Sequence, residues 1–430
     1  MSRDPLNLSD IQRDRAIGAL LGTAAGDALG AGYEFGPPLS AGQSVGMIGG
    51  GLGPFAPGEW TDDTAMAIAI AEIAATGSDL GSEKSLDYIV ERWAWWARNA
   101  KDIGVQTSAV LSAAAERGLS AKAAREAAAA LHEKTGRTAG NGSLMRTAPV
   151  ALLNLHPHYE DETSAAARAV SNLTHFDPDA GDACVLWCAA IRNAVLSGGL
   201  DVRIGLRHID AERQELWEER IAEAERSEPS DFAAANGRVV AAMQGAWSAI
   251  VTTPGPDGDP SSGVFAADRL WLALESAVRG GGDTDTVAAI AGGLLGAAYG
   301  ASAVPSHWRL VLKGWPGLNT RGLVNLVNKI LNDGQPDRFD HSYQSWRGEI
   351  RPRRHPHDDG VWIGAAPSLH KPPSGVDAVV SLCRVADGHI PAGVRHLDVR
   401  LIDQVGANAN LDFVLLDTVR AIEEDRKSVV

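Results

Sequence analysis

Residues 15–30 read RAIGALLGTAAGDALG and place a glycine at every fourth position, at Gly18, Gly22, Gly26 and Gly30. Residues four apart lie on the same face of an α-helix, so the four glycines form one stripe. A stripe without side chains lets a second helix approach very closely. These residues therefore predict a buried helix packed tightly against another helix, and we interpret the glycines as structural.

The helical pattern continues over most of the chain. From about residue 10 to residue 332 the apolar residues follow a helical period, alanine and glycine are frequent, and runs of β-branched residues are few. This pattern predicts one large all-α domain. Further helices are expected at residues 82–98, 106–118, 121–133, 162–173, 181–196, 232–252, 266–278 and 286–299, with a charged, solvated helix within residues 201–230.

Composition limits the possible classes of function. The chain has 430 residues, of which 45% are hydrophobic, and this is enough for a substantial core and more than one domain. Its formal net charge of −15 argues against a nucleic-acid-binding face, which needs stripes of lysine and arginine. The N-terminus has no hydrophobic signal core, and no stretch is apolar enough to span a membrane. We therefore expect a cytoplasmic protein with no nucleic-acid or membrane partner.

Two acidic clusters carry the strongest functional signal. Residues 60–64 read WTDDT and residues 281–286 read GGDTDT, and each segment precedes a run of small apolar residues. Carboxylates at this density repel one another unless a cation neutralises them, and carboxylate and hydroxyl oxygens suit Mg²⁺, Mn²⁺ or Ca²⁺. Helix capping is the alternative, but one cap requires one side chain, so capping leaves the doubled carboxylates unexplained. The clusters therefore predict a metal site with room for two ions.

Several other loops offer contacts for a ligand. Residues 140–146 read GNGSLMR, and their backbone N–H groups suit a diphosphate, with Arg146 to balance its charge. Glu34, in a glycine-rich loop, is either a catalytic base or a solvated carboxylate, and His175 is either a ligand contact or a structural histidine. Asp102 follows a tryptophan cluster and is a candidate for the rim of a pocket. The residues by themselves leave these alternatives open.

Taken together and in this order, these segments resemble the ADP-ribosylglycohydrolase family over about residues 10–332. The resemblance is carried by GDALGAGYE at 26–34, WTDDTAM at 60–66, DIG at 102–104, GNGSLMR at 140–146, Thr174-His175 and GGDTDT at 281–286. It implies a compact orthogonal all-α fold with a centre of two Mg²⁺ or Mn²⁺ ions. It also implies hydrolysis of the bond that joins ADP-ribose to a modified protein side chain or to a small conjugate.

The resemblance further implies roles for particular residues. The implied metal ligands are Thr61, Asp62, Asp63, Asp283, Asp285 and Thr286. The implied substrate contacts are Asp102, Gly104, Asn141, Gly142, Ser143, Met145, Arg146 and His175. The catalytic acid or base is then Glu34, Asp62 or Asp285, because hydrolysis needs an activated water and a proton for the leaving group. Arginine is the favoured attachment residue, since a guanidine leaving group must be protonated and acidic residues surround the site.

A different pattern begins after residue 332. Residues 333–358 predict a linker, and residues 359–430 predict a small α/β unit with strands at 361–364, 378–382 and 394–399 and a helix at 413–424. This unit resembles the front half of a dual-specificity phosphatase domain, whose His-Cys-x5-Arg loop has no counterpart here. Cys383 does not supply it, because His389 stands where that loop needs arginine. Residues 427–430 look like an unfinished strand, so we expect an incomplete unit without phosphatase activity.

Rival interpretations are weaker. Asp283-x-Asp285-x-Val287 is similar to the nucleophile motif of haloacid-dehalogenase phosphatases, but that motif must follow a buried strand and a glycine run precedes it here. Neither cluster has the spaced carboxylates and terminal glutamate of an EF-hand. The alternative function is a non-catalytic member of the same fold, with a structural role or as a reader that binds ADP-ribose. The intact metal ligands and Glu34 favour the enzyme.

Overall fold

The structure is a computed structural model that describes residues 6–40, 42–256, 258–336, 351–385 and 387–427, and most of its regular structure is helical. Its α-helices are α1 (Asp10–Gly30), α2 (Asp62–Ala74), α3 (Glu83–Ala97), α4 (Val105–Ala115), α5 (Ala121–Thr135), α6 (Val150–Leu153), α7 (Glu160–Ser171), α8 (Pro178–Ser197), α9 (Ala211–Ala224), α10 (Val239–Thr252), α11 (Asp268–Arg279), α12 (Thr284–Tyr299), α13 (Ser306–Val311), α14 (Thr320–Leu331) and α15 (Leu411–Lys427). Its strands are β1 (Lys313–Gly314), β2 (Leu318–Asn319), β3 (Arg353–His355), β4 (Asp358–Ile363), β5 (Ala378–Ser381) and β6 (Arg395–Asp398). The predicted all-α domain followed by a small α/β segment is confirmed.

Helix α1 is packed against α12 along the glycine stripe. A Cβ atom added at Gly22 would overlap the carbonyl oxygen of Gly292, and one added at Gly30 would overlap the backbone of Asp285. Only glycine permits such an approach between two helix backbones. The prediction of a structural stripe is thereby confirmed, and the contact brings the last turn of α1 beside the first turn of α12.

Buried side chains surround this helix pair. Helix α2 is buried along most of its length, with Met66 and Ile68 in the core. Helix α8 lies against α12, where the indole nitrogen of Trp187 donates to the carbonyl oxygen of Ile290 at 3.0 Å. Burial of each large apolar side chain contributes about 1.5–3 kcal/mol, so this core holds the first turns of α2 and α12 in fixed positions.

One predicted helix is divided in the structure. Instead of one helix at residues 232–252, a 3-10 turn at Pro229–Ala235 is followed by α10, which begins at Val239. Asn236 lies between them, and its side chain donates to the carbonyl oxygen of Gly281 at 2.9 Å and accepts from the backbone N–H of Asp283 at 2.9 Å. The helix stops because Asn236 is used to hold the second acidic cluster in place. Periodicity does not reveal such a contact.

The C-terminal segment contains two pairs of strands. Strands β3 and β4 form an antiparallel hairpin, so part of the stretch expected to be a linker is paired. Strands β5 and β6 are parallel, and α15 follows them. Lys427 ends α15, and the remainder of the expected last strand, residues 428–430, lies outside the described residues.

Helix α15 is attached to the helical domain by specific contacts. The backbone N–H and the hydroxyl of Ser306 donate to the carboxylate of Asp417 at 2.9 and 3.0 Å. Asn410 donates to the carbonyl oxygen of Tyr299 at 2.7 Å, and the Phe413 ring packs edge-on against Phe265. Among the described helices, none has both the length and the apolar character that a membrane crossing requires.

Candidate active site

The two acidic clusters meet at the first turns of α2 and α12. The hydroxyl of Thr61 lies 3.5 Å from an oxygen of Asp285, although 224 positions separate the two residues in the chain. Thr61 and Asp283 are the N-cap residues, yet neither side chain makes a capping hydrogen bond to its own helix. Helix capping therefore does not account for the doubled carboxylates.

The first turn of α2 is instead capped by Asp27 of α1. One oxygen of Asp27 accepts from the backbone N–H of Thr61 at 2.9 Å. The other accepts from the backbone N–H and the hydroxyl of Thr64 at 3.0 and 2.6 Å. Because Asp27 satisfies these donors, Asp62 and Asp63 are not needed for the task. Asp27 was expected only as part of the segment at 26–34 that carries the family resemblance, with no role of its own; its further signal is a carboxylate within the apolar second half of α1.

Carboxylate oxygens gather into two groups that share Asp285. One group contains Asp27, Asp63 and Asp285, and the other contains Glu34, Asp283 and Asp285, with the oxygens of each group within 4.8 Å of one another. The Oδ1 atom of Asp63 is buried and has no hydrogen-bond partner among the described residues. A buried carboxylate oxygen without a donor is unfavourable unless a cation lies beside it or a proton neutralises the carboxylate. The donor set, all oxygen and strongly negative, fits divalent cations of the Mg²⁺ and Mn²⁺ type.

The pKa values of these carboxyls reflect their crowding. Burial, together with neighbouring carboxylates, raises the pKa values of Asp63 and Asp285 well above the usual range. Burial raises the pKa of Asp27 to about 6, although its hydrogen bonds to Thr64 and Thr61 act in the opposite direction. Without a cation, protons therefore neutralise part of the negative charge of these carboxylates.

Glu34 lies beside this cluster and is half-buried. Burial is the main cause that raises its pKa to about 7, and Asp283, Asp102 and Asp27 raise it further. The backbone N–H of Leu52 donates to its Oε2 atom at 3.2 Å and partly offsets the shift. A carboxyl with this pKa exchanges a proton readily near neutral pH, which suits a general acid or base.

Asp62, Asp102 and Gly104 lie at the edge of the cluster. Asp62 is half-buried and belongs to neither carboxylate group, and its pKa is raised well above the usual range by burial and then by Asp102. Asp102 is also half-buried, and its Oδ1 atom accepts from the backbone N–H of Ile103 at 2.7 Å. Gly104 is exposed and is the N-cap residue of α4. These positions are compatible with the predicted rim.

The loop at residues 140–146 is joined to the metal-ligand candidates. The side-chain amide of Asn141 donates to Asp283 at 2.8 Å and to the carbonyl oxygen of Asn236 at 2.9 Å. Asn141, Gly142 and Ser143 form a 3-10 turn, whose first N–H groups have no partner within the turn. The Sδ atom of Met145 lies 4.0 Å from the hydroxyl of Thr286. The loop therefore borders the cluster directly.

Arg146 and His175 lie beneath this loop. Arg146 is 0% exposed, its guanidinium lies over the Trp93 ring at 3.9 Å, and it donates to the hydroxyl of Thr174 at 2.6 Å. That hydroxyl is 2.7 Å from Nδ1 of His175, and the His175 ring lies against Gly140 and Gly142. Burial, and then the charge of Arg146, lowers the pKa of His175 well below the usual range, so the imidazole is neutral. In this arrangement Arg146 contacts protein groups and supports the loop from below.

Comparison with known proteins agrees with this geometry. The family model for ADP-ribosylglycohydrolase matches residues 8–346, which leaves the C-terminal strands and α15 outside the match. The ADP-ribosyl-[dinitrogen reductase] glycohydrolase of Rhodospirillum rubrum is 30% identical over 308 residues, which cover 69% of this chain and 89% of the relative. The ADP-ribosylarginine hydrolase Tri1 of Pseudomonas putida (strain GB-1) is 30% identical over 303 residues, covering 69% of this chain and 73% of the relative.

A solved structure extends the similarity to the fold. An ADP-ribosylglycohydrolase-related protein complex matches with a TM-score of 0.53 and 26% identity, over 75% of this chain and 99% of that chain. The family match includes the two acidic clusters, Glu34 and the loop at residues 140–146. The chain belongs to the ADP-ribosylglycohydrolase family.

Proposed function

We propose that this glycohydrolase releases ADP-ribose from a modified arginine side chain of a protein, with two Mg²⁺ or Mn²⁺ ions at the junction of α2 and α12. Family membership makes it a glycosidic-bond hydrolase. The arginine preference and the dinuclear centre are our extensions. Support for arginine comes from the relatives of Pseudomonas putida and Serratia proteamaculans, both called ADP-ribosylarginine hydrolase. Acidic residues around the site suit a cationic leaving group.

The observation that carries the metal proposal is the buried, unpaired Oδ1 atom of Asp63 within a group of carboxylates. We assign the cations to a set of oxygen donors on the two helix starts. The set comprises Thr61, Asp62, Asp63, Asp283, Asp285 and Thr286. Asp285 belongs to both carboxylate groups, which is the arrangement expected of a residue shared by two neighbouring ions. When bound, such ions supply Lewis acidity that orients hydroxyl oxygens and lowers the pKa of water.

The chain's own residues account for the remaining requirements of the reaction. With a pKa of about 7, Glu34 can take a proton from the attacking water and return it to the leaving nitrogen. Asp62 and Asp285 are further candidates for this proton, since burial also raises their pKa values. Asp27 has no proton-transfer role in this scheme, because its oxygens are occupied by Thr61 and Thr64.

We assign substrate binding to the loop and the rim. The N–H groups of Gly142 and Ser143 begin the 3-10 turn and suit the diphosphate, while Asn141 and Met145 adjoin the ligand set. We assign Asp102 and Gly104 to the rim, on the side of the leaving group. We assign His175 and Arg146 to support of the loop. His175 packs against Gly140 and Gly142, and Arg146 donates to Thr174.

The test is release of ADP-ribose from peptides modified on arginine, serine or glutamate, measured by mass spectrometry with Mg²⁺, with Mn²⁺ and after exhaustive chelation. We expect the arginine peptide to react fastest and chelation to abolish release. Undiminished release after chelation would contradict the metal centre, and equal rates on serine would contradict the preference. Tight binding without turnover on every peptide would support a reader instead.

A further inference from the structure

The segment just before Thr61 is held by β1, a strand that is distant in the chain. The backbone N–H of Trp60 donates to the carbonyl oxygen of Lys313 at 3.1 Å, and the backbone N–H of Lys313 donates to the carbonyl oxygen of Gly58 at 3.0 Å. The indole nitrogen of Trp60 donates to the carbonyl oxygen of Trp315 at 3.1 Å. This segment therefore lies alongside β1, which fixes the point at which the chain enters the first acidic cluster.

Helix α13 leads into β1 and touches the same segment. Gly58 has a φ of +74°, and a Cβ atom added there would overlap the carbonyl oxygen of Val311, the last residue of α13. The two backbones are thus packed at a distance that only glycine permits. Because they are in direct contact, a displacement of α13 would also displace the segment before Thr61.

The N-terminus of α13 is capped by a residue of another helix. Helix α13 has six residues, and its N-cap residue is Pro305, whose side chain accepts no hydrogen bond. Asp417 of α15 supplies the cap instead. One of its oxygens accepts from the backbone N–H of Ser306 at 2.9 Å, and the other accepts from the Ser306 hydroxyl at 3.0 Å. A helix this short has little stability of its own, so it depends on such tertiary contacts.

The attachment of α13 to the C-terminal segment is buried. Ser306 is 2% exposed and Asp417 is 9% exposed, so water does not readily replace their hydrogen bonds. Arg309 of α13 adds a hydrogen bond of 3.3 Å from Nη1 to the carbonyl oxygen of Asp398, at the end of β6. Both acceptors lie beyond residue 346, where the family match ends. The C-terminal segment therefore holds one end of α13, and the other end leads into β1.

We propose that Asp417 is a positioning residue of the candidate active site. By fixing the N-terminus of α13, it fixes β1 and the segment that places Thr61 among the carboxylates. The role of Thr61 as a ligand rests on the function proposed above, whereas the connection from Asp417 to Trp60 does not. The C-terminal segment then supports the glycohydrolase site from outside the part of the chain that matches the family.

The test compares the full chain with Asp417→Ala, which removes both acceptors of Ser306. Hydrogen exchange of the metal-free proteins, followed by mass spectrometry, reports on the amides of Trp60 and Lys313. We expect exchange at these amides to become about fivefold faster and the affinity for Mn²⁺, measured by calorimetry, to fall about fivefold. Release of ADP-ribose at limiting Mn²⁺ should fall by a similar factor, and saturating Mn²⁺ should restore most of it.

Three further variants separate positioning from folding. Ser306→Ala keeps the backbone N–H that Asp417 accepts, so it should fold even if Asp417→Ala does not, with exchange at Trp60 about twofold faster. Asp412→Ala removes an exposed carboxylate from the first turn of the same helix and is the matched control, with no expected change. Asp182→Ala removes a buried carboxylate from α8 and controls for a general loss of stability. It should not accelerate exchange selectively at Trp60.

Exchange at Trp60 that is unchanged in the folded variants of Asp417 and Ser306, or accelerated equally throughout the domain, would overturn the proposal. Faster exchange with unchanged Mn²⁺ affinity, in a parent that binds Mn²⁺, would also overturn it. A parent that neither binds Mn²⁺ nor releases ADP-ribose would instead refute the function proposed for the acidic clusters. Exchange at Trp60 would then decide the connection to Asp417 by itself.

Discussion

Asp63 and Asp182 are both 1% exposed, but the protein supplies partners for the charge of only one of them. Asp182, on α8, accepts from Arg168 at 2.7 Å, from the indole nitrogen of Trp217 at 3.0 Å, and from Arg213. Asp63 accepts from the hydroxyl of Thr61 at 3.3 Å, its Oδ1 atom has no partner among the described residues, and its charged neighbours are carboxylates. The charge of Asp182 is thus balanced by side chains of the protein, whereas Asp63 has no such cationic partner among the described residues, and this difference is the basis of the proposed metal centre.

The largest effect that tests this comparison is expected at the carboxylate shared by both groups. Asp285→Ala should reduce ADP-ribose release about 1,000-fold or more, because loss of a shared ligand disturbs both proposed ions. The metal-free variant should be at least as stable as the metal-free parent, since a repelling charge has been removed. Release kinetics and urea unfolding in chelator measure the two quantities. Activity of Asp285→Ala within tenfold of the parent would show that Asp285 is not a ligand of the proposed metal centre.

Asp182→Ala should show the opposite behaviour. Arg168 and Arg213 lose their common partner and Trp217 loses an acceptor, so we expect the free energy of unfolding to fall by about 3 kcal/mol. Both arginines are partly exposed, so water replaces some of the lost interaction. Turnover per folded molecule should be unchanged. A stable variant with reduced turnover would show that the two buried aspartates do not differ in the way proposed.

A smaller effect should appear in the pH dependence of stability. Folding raises the pKa of Asp27 from 3.8 to about 6 and that of Glu34 from 4.5 to about 7. A raised pKa contributes stability below its unfolded value, and that contribution is lost as pH rises through the folded value. The metal-free protein should therefore lose on the order of 2 kcal/mol of stability between about pH 4 and pH 7 from Asp27 alone. The half-buried Glu34 should add a smaller loss, because solvent screens its charge.

Stabilisation by added Mg²⁺ or Mn²⁺ should grow over the same interval, because cations and protons compete for the carboxylates. Asp182→Ala should retain this growth, whereas Asp285→Ala should lose most of it. Unfolding temperatures recorded across the pH range, with and without metal, provide the measurement. A metal effect independent of pH would contradict the competition.

The smallest effect is expected at Cys383. This half-buried thiol has His389 six residues later, and the chain offers no arginine for a phosphatase loop there. Cys383→Ser should release ADP-ribose as fast as the parent, and neither protein should hydrolyse p-nitrophenyl phosphate. Hydrolysis of that compound by the parent but not by the variant would show that the C-terminal segment is a phosphatase.

The sequence predicted the parts of this structure that depend on local pattern. The glycine stripe of α1 and the convergence of Asp62, Asp63, Asp283 and Asp285 were both expected, because a helix period and paired carboxylates are visible in the chain. The structure gathers Asp63, Asp283 and Asp285 into the two carboxylate groups but leaves Asp62 outside both. The break before α10 was missed, since Asn236 interrupts an apolar helical pattern to bind Gly281 and Asp283. Such a contact spans more than 40 positions and leaves no periodic signal.

The roles of individual site residues depend still more on the tertiary structure. Arg146 was expected to balance the charge of a diphosphate, but in the structure it is buried against Trp93 and Thr174. These partners lie far from Arg146 in the chain, so no local sequence pattern reveals the contact. Asp27 belonged to the resembling segment at 26–34 but had no role assigned to it, because its capping of α2 depends on how α1 crosses that helix. The assignments of ligands, acid or base, and substrate contacts remain predictions for mutagenesis.

The glycine contact between α1 and α12 also determines which changes of chain length this protein can accept. Asp27 lies between Gly26 and Gly30, which are fixed against Ala288 and Asp285. Inserting or deleting one residue between Gly18 and Asp27 would turn Asp27 by about 100° around the helix axis and remove the cap from α2. Evolutionary variation in length should therefore be absent from α1 and α12. Insertions should instead accumulate after α14, where the family match ends at residue 346.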